Sequence, residues 1–154
     1  MGEALSKRIA QERFESPQVE AMLNLLVASD YLRGKLDEVF SAFGISSGQY
    51  NVLRILKGAH PDGHSRCEIL RRLLERAPDV TRLVDRLEAQ GLAERDKSDS
   101  DRRLSITRIT PKGLDLLDTL DLPLREVERR FSERVSRRDC RELSRICEGL
   151  YGED

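Results

Sequence analysis

One short segment, residues 78–91, constrains this chain more than any other. Val80, Leu83, Val84 and Leu87 follow the i, i+3, i+4, i+7 spacing of a single helical stripe, which leaves Pro78, Arg82, Asp85 and Arg86 on the opposite side. Proline at 78, or Asp79 beside it, suits the first turn of a helix, and Gly91 is a natural stop. A helix so divided must bury one face and present the other, so its neighbours decide what the polar face can meet.

Those neighbours follow in order. Ser65 opens a preceding helix with Ile69, Leu70, Leu73 and Leu74 inward, and Arg76-Ala-Pro-Asp79 is a short turn between the two helices. After Gly91, the runs 92–96 and 104–110 are β-prone and are joined as a hairpin by the polar loop 97–103. Upstream, Ser46 or Ser47 caps a helix carrying Tyr50, Val52, Leu53, Ile55 and Leu56 and ending at Gly58. Residues 58–64 read as a connector too short to separate independent domains.

The ends of the chain read as longer helices. From Gln18 to Phe43 apolar residues recur at helical spacing, and at 1.5 Å per residue such a helix spans about 39 Å. That exceeds what a domain of this size needs for its own core, so part of its face is expected to pack on a second subunit. Pro111 and Gly113 introduce another helix, with Pro123 as an expected kink; Ser136 caps the last, whose stripe is Cys140, Leu143, Ile146, Cys147 and Leu150.

Composition agrees with this helical reading. The chain has 154 residues, the size of one domain, with 38% apolar and 36% charged residues, a ratio suited to narrow amphipathic helices and not to a large β-sandwich. With 27 Lys+Arg against 28 Asp+Glu the net charge is -1, which excludes a globally basic nucleic-acid coat. The charge is uneven, however: residues 44–110 hold 13 basic and 10 acidic side chains, and the flanks hold 14 and 18. The middle is where an anion can bind. No run approaches the roughly 18 apolar residues of a membrane span, and charges interrupt the N-terminus where a signal core would be, so a cytoplasmic location without a membrane partner is expected. Three cysteines, an odd number, argue against a secreted disulfide scaffold.

Helix, turn, helix and then a hairpin form a helix-turn-helix followed by a wing. The DNA major groove admits one α-helix, and a reading helix needs a buried apolar face to hold it and an outer face of donors for base edges and phosphates. The segment from 78 to 91 meets both demands. Arg82 can pair with guanine O6 and N7, Thr81 can take a phosphate or a thymine methyl, and the N-terminal amides favour a backbone phosphate. The wing loop adds Arg102 and Arg103.

Ala77-Pro-Asp-Val-Thr-Arg-Leu-Val-Asp-Arg-Leu-Glu-Ala-Gln-Gly-Leu-Ala-Glu-Arg95, followed by Asp101-Arg-Arg103 and Thr110-Pro-Lys-Gly113, resembles the MarR family of transcriptional regulators. Ile109 and Thr107 depart from the family's usual residues in the second wing strand. The resemblance implies a mainly α fold with a small β-hairpin wing: a winged helix-turn-helix with long N- and C-terminal dimerisation helices. Within one continuous domain it assigns residues 1–43 and 111–154 to dimerisation and 44–110 to DNA binding. The implied function is that of a homodimeric regulator, a repressor released by a small ligand or other signal, on a pseudo-palindromic double-stranded operator. The expected DNA-contacting residues are Ser65, Arg66, Pro78, Asp79, Thr81, Arg82, Asp85, Arg86, Arg95, Asp101, Arg102 and Arg103. Tyr31, Tyr50 and Arg54 are the candidates for an effector pocket between the first long helix, the next and the one opening at Pro111.

Other readings compete. Arginines on a surface helix are ordinarily a solvated face, and a winged helix can instead bind an acidic protein partner. His60, His64 and Cys67 carry zinc-ligand chemistry but at a spacing that matches no recognised closed site, so a polar connector is the better reading and no cofactor is expected. Cys140 and Cys147 lie two turns apart on one face, about 10 Å, too far to bridge each other. Packing in a dimer core is their main reading, with a thiol switch, Cys67 included, as the alternative. No phosphate loop, nucleophile elbow or triad is present, which argues against an enzyme.

Overall fold

The computed structural model describes residues 3–11, 13–74, 79–96 and 105–152. Its contacts divide the chain into two compact units, Met1–Glu38 and Val39–Asp154. The first holds α1 (Glu3–Ile9) and most of α2 (Pro17–Ala42). Leu5 is buried there, and Arg8 pairs with Asp30 at 3.3 Å to tie α1 to α2. Met22 and Leu26 are each 66% exposed, an apolar surface that the unit does not cover by itself.

The second unit contains the end of α2, then α3 (Ser47–Gly58), β1 (His64–Ser65), α4 (Arg66–Arg72), α5 (Val80–Ala89), β2 (Ala93–Arg95), β3 (Ile106–Ile109), α6 (Pro111–Ser132) and α7 (Arg137–Tyr151). Its core is Val52, Leu53 and Leu56 of α3 with Ile69 of α4, Leu87 of α5 and Leu120 of α6, all fully buried. Each such side chain contributes about 1.5–3 kcal/mol by leaving water. Local signals start the helices. Ser46 makes a capping box with Gln49, Ser65 caps α4 through the Glu68 amide, Thr110 caps α6 through the Gly113 amide and Ser136 caps α7 through the Asp139 amide. A cap of this kind stabilises a helix by about 1 kcal/mol.

Two details differ from the sequence reading. The wing is a three-stranded antiparallel sheet in the order β1-β3-β2, because His64 and Ser65 pair with Thr107 and Ile106. A two-residue strand has no alternation to read, so the connector 58–64 concealed its start. Second, α4 ends at Arg72, which takes Leu73 and Leu74 off the helical phase; Ile69 is buried, but Leu70 is 45% and Leu74 88% exposed. Pro123 lies inside α6, which runs from Pro111 to Ser132. Thr107 points inward beside Ile109, occupying an apolar strand position at 3% exposure. Among the described residues no helix is long and apolar enough to cross a membrane.

Candidate nucleic-acid interface

Helix α5 is anchored as its sequence demands. Val80, Val84 and Leu87 of α5 are buried, and Leu83 packs against Gly48, whose missing side chain makes room for it. Asp79 is the N-cap, its carboxylate accepting from the Arg82 amide at 3.2 Å. At the other end Gly91 takes φ +71, the left-handed conformation that ends a helix and that glycine adopts without strain. The outer face is then Thr81, Arg82, Asp85 and Arg86, all exposed.

Neighbouring elements reach this face from two sides. From the start of α4, Arg66 Nη1 donates to Thr81 Oγ1 at 3.1 Å, so a donor from each of the two helices converges on one spot. From β2, Arg95 pairs with Asp85 at 2.5 Å and with Glu88 at 3.2 Å. Ser65 uses its hydroxyl as the cap of α4. Arg82 and Arg86 differ from these: both residues are exposed, and neither side chain pairs with another described residue. Pro78, Asp101, Arg102 and Arg103 lie outside the described residues.

The remaining candidates are dispersed. Tyr31 is half exposed in the first unit; in the second, the Tyr50 ring stacks on Phe40 with centroids 4.4 Å apart, and Arg54 is exposed. None of them lines the open depression of about 530 Å³ bounded by Phe43, Leu92 and Leu116 with Gln90, Lys112, Asp115 and Thr119. Cys67 is exposed, whereas Cys140 and Cys147 are half buried and Cys140 Sγ lies 3.8 Å from the Val135 carbonyl oxygen. Among the described residues no group of three or more His, Cys, Asp and Glu side chains is placed to hold a metal ion.

Sequence reasoning missed the polar cluster behind the C-terminus of α5. Gln90 donates to the Gly44 carbonyl at 2.8 Å and accepts from Gln49 at 2.8 Å, while Lys112 donates to the Gln90 carbonyl at 2.7 Å. Two glutamines and a lysine from three separate elements carry no periodic signal. The link from Arg95 to Asp85 and Glu88 was missed too: strand alternation puts Arg95 on the same side as buried Ala93, but nothing local says which helix lies there.

Residues 43–104 match the model of the MarR family. The chain is 38% identical to a MarR transcription factor from Planctomyces limnophilus, whose crystal structure superposes with a TM-score of 0.69 over 88% of this chain and 98% of that one. The chain belongs to the MarR family. It is a transcriptional regulator with a winged-helix fold, and not an enzyme. It is also 28% identical over 125 residues to the HTH-type transcriptional regulator PrsX of Escherichia coli, covering 78% of this chain and 75% of that protein. The curated relatives are matched over 56% to 75% of their own lengths. The structure of the S. aureus MepR–DNA complex shares the MarR fold at 21% identity and a TM-score of 0.71, covering 88% of this chain and 96% of that one.

Proposed function

We propose that this MarR-family regulator is a homodimer that binds an inverted repeat in double-stranded DNA through α5 and the wing, and represses until a small ligand releases it. The observation that carries this reading is the pair Arg82 and Arg86, exposed on the outer face of a helix whose inner face is locked into the core. Solvated guanidinium forks on such a face are suited to guanine edges and phosphates. Support comes as well from a protein of the same fold whose structure is a complex with DNA. Arg82 is assigned to base reading, Thr81, Arg66 and Arg86 to the phosphate backbone, and Asp101, Arg102 and Arg103 to the wing's contact with DNA.

Dimerisation is assigned to residues 1–43 and 111–154. On α7, Leu143, Ile146, Leu150 and Tyr151 are between 42% and 68% exposed, a stripe that a second copy would cover. Two-fold symmetry would then set two reading helices about 34–36 Å apart, one turn of DNA. The cytoplasm is the compartment assigned to it. An effector in the depression beside Gln90 and Lys112 would touch the groups that hold the C-terminus of α5, which is how occupancy would bear on DNA.

The test is selection of duplexes from a randomised pool by the purified chain. Enrichment of an inverted repeat, with binding that falls steeply as salt rises, is the expected outcome. Recovery of no preferred sequence at low salt would overturn the reading.

A further inference from the structure

Side chains alternate across a strand, so Ala93 and Arg95 of β2 project to one side and Glu94 to the other. Ala93 is buried, and Arg95, whose Cα partner in the sheet is Thr107, reaches from the same side onto α5. Its guanidinium touches three groups there: Nη2 to Asp85 Oδ1 at 2.5 Å, Nε to Glu88 Oε2 at 3.2 Å, and Nη2 to the Thr81 carbonyl at 3.5 Å. Thr81, Asp85 and Glu88 stand at i, i+4 and i+7, a single stripe along the flank of the helix. A planar fork joined to two carboxylates on successive turns restrains rotation of α5 about its own axis. One lysine ammonium could not hold both in fixed geometry.

That restraint bears on base reading, and the inference rests on the DNA-binding function proposed above. A roll of about 20° moves an atom about 6 Å from the helix axis by about 2 Å. A bidentate hydrogen bond does not survive such a displacement. Arg82 is one residue from Thr81 and three from Asp85, so its aim depends on the roll that Arg95 sets.

We propose that Arg95 is a positioning residue for sequence discrimination: it straps α5 to β2 through Asp85 and Glu88, fixing the aim of Arg82 without itself contacting DNA. Its side chain is 28% exposed, in keeping with a group spent inside the protein.

The experiment uses the full chain and two 30-bp duplexes, one selected by the wild type from a random pool and one scrambled to the same composition. Wild type, Arg95→Met, Arg95→Lys, Asp85→Asn and the Arg95→Met/Asp85→Asn double variant are titrated on both across a range of salt. Arg95→Met should lower the ratio of selected to scrambled affinity by about tenfold or more, the size of one lost bidentate base contact. The slope of log affinity against log salt should not change. Arg95→Lys should recover only part of the ratio, and the double variant should be no worse than the poorer single one, because both remove the same strap.

Equal loss on both duplexes, with the salt slope reduced by about 0.9 for each protomer, would make Arg95 a phosphate contact and overturn the proposal. Additive effects in the double variant would overturn it too. Asp85→Asn alters an exposed side chain, so it carries the comparison if Arg95→Met does not fold. Amide hydrogen exchange over 80–90 in the free protein reads the strap without DNA. Faster exchange in Asp85→Asn and Arg95→Lys is expected, and exchange at the wild-type rate in both would sink the strap. Failure of the wild type to select any duplex, with the exchange result intact, would instead remove the DNA-reading function and the consequence drawn from it.

Discussion

The Gln49 side-chain amide donates to the side-chain carbonyl of Gln90 at 2.8 Å, joining the first turn of α3 to the residue that closes α5. Gln49 is 5% exposed, and its own carbonyl accepts from the Ser46 amide in the capping box. One side chain therefore starts one helix and holds the end of another. Gln49→Ala should leave the Ser46 amide and the Gln90 carbonyl without these partners and cost about 1–3 kcal/mol. Urea unfolding should show a lower midpoint with an unchanged m-value. A midpoint equal to wild type would mean that water replaces both bonds without loss.

The approach of α6 to the wing is set by Gly113. A Cβ there would lie 2.3 Å from the Leu92 carbonyl oxygen and 2.7 Å from Ile109 Cγ1, and the first of these is backbone that cannot swing aside. Gly113→Ala should destabilise by about 1–3 kcal/mol, the usual cost of overpacking. Gly58, with nothing within 4 Å of its Cβ position, supplies the contrast. Gly58→Ala should change stability by no more than about 0.5 kcal/mol. Thermal melts of the two variants side by side decide the matter, and equal melting temperatures would show that the α6 approach is not tight.

The sequence made the helices legible because each carries its own period and cap: Val80, Val84 and Leu87 mark the inner face of α5, and Asp79 and Gly91 mark its ends. What escaped was pairing across the chain. His64 and Ser65 become a strand only because Thr107 and Ile106 lie beside them, and nothing in two residues announces that. Leu70, Leu73 and Leu74 read as a helical stripe until the helix stops at Arg72. Within the candidate site, the outer residues of α5 were visible from spacing. The engagement of Arg95 with Asp85 and Glu88 depends on a strand and a helix meeting in space, and a list of basic residues cannot distinguish such an arginine from a solvated one.

Arg82 and Arg86 should behave differently although both are exposed on α5. Arg82 lies in the first turn, from which reading helices contact bases. Arg82→Ala should therefore cost about 1–3 kcal/mol on the selected duplex and relax preference at one position of each half-site. Arg86, a turn further on, should hold the backbone. Arg86→Ala should weaken selected and scrambled duplexes alike and lower the salt slope by about 0.9 for each protomer. Titrations at several salt concentrations separate the two patterns, and the reverse assignment would place the guanine contact at Arg86.

The stripe on α7 gives a prediction about assembly. Ile146 is 48% exposed and lies between Leu143 and Leu150 on one face. A glutamate inserted there meets water in a monomer but is buried without a partner in a dimer, where an unpaired charge costs several kcal/mol. Ile146→Glu should shift sedimentation equilibrium toward monomer at micromolar concentration and leave the helical circular dichroism in place. A variant that sediments like wild type would put the dimer contact elsewhere.

Acid stability should register the ion-pair cluster on α6. Glu126 accepts from Arg129 at 2.8 Å and from Arg130 at 2.8 Å. These bonds lower its pKa from 4.5 to about 2, against a smaller opposing effect of desolvation. A carboxylate whose folded pKa is depressed releases its proton more readily in the native state, so the unfolded chain binds more protons between the two values. The stabilisation is complete above about pH 4.5 and fades as pH falls toward about 2, where both states become protonated. The cluster is exposed, so salt should screen it and the effect should be small. Glu126→Gln should melt below wild type at pH 6 and low salt, the two curves should converge as pH falls toward about 2, and added salt should narrow the gap at pH 6. Calorimetry from pH 6 downward provides the check. A gap that stays constant with pH would mean that Glu126 stabilises α6 by packing and not by charge.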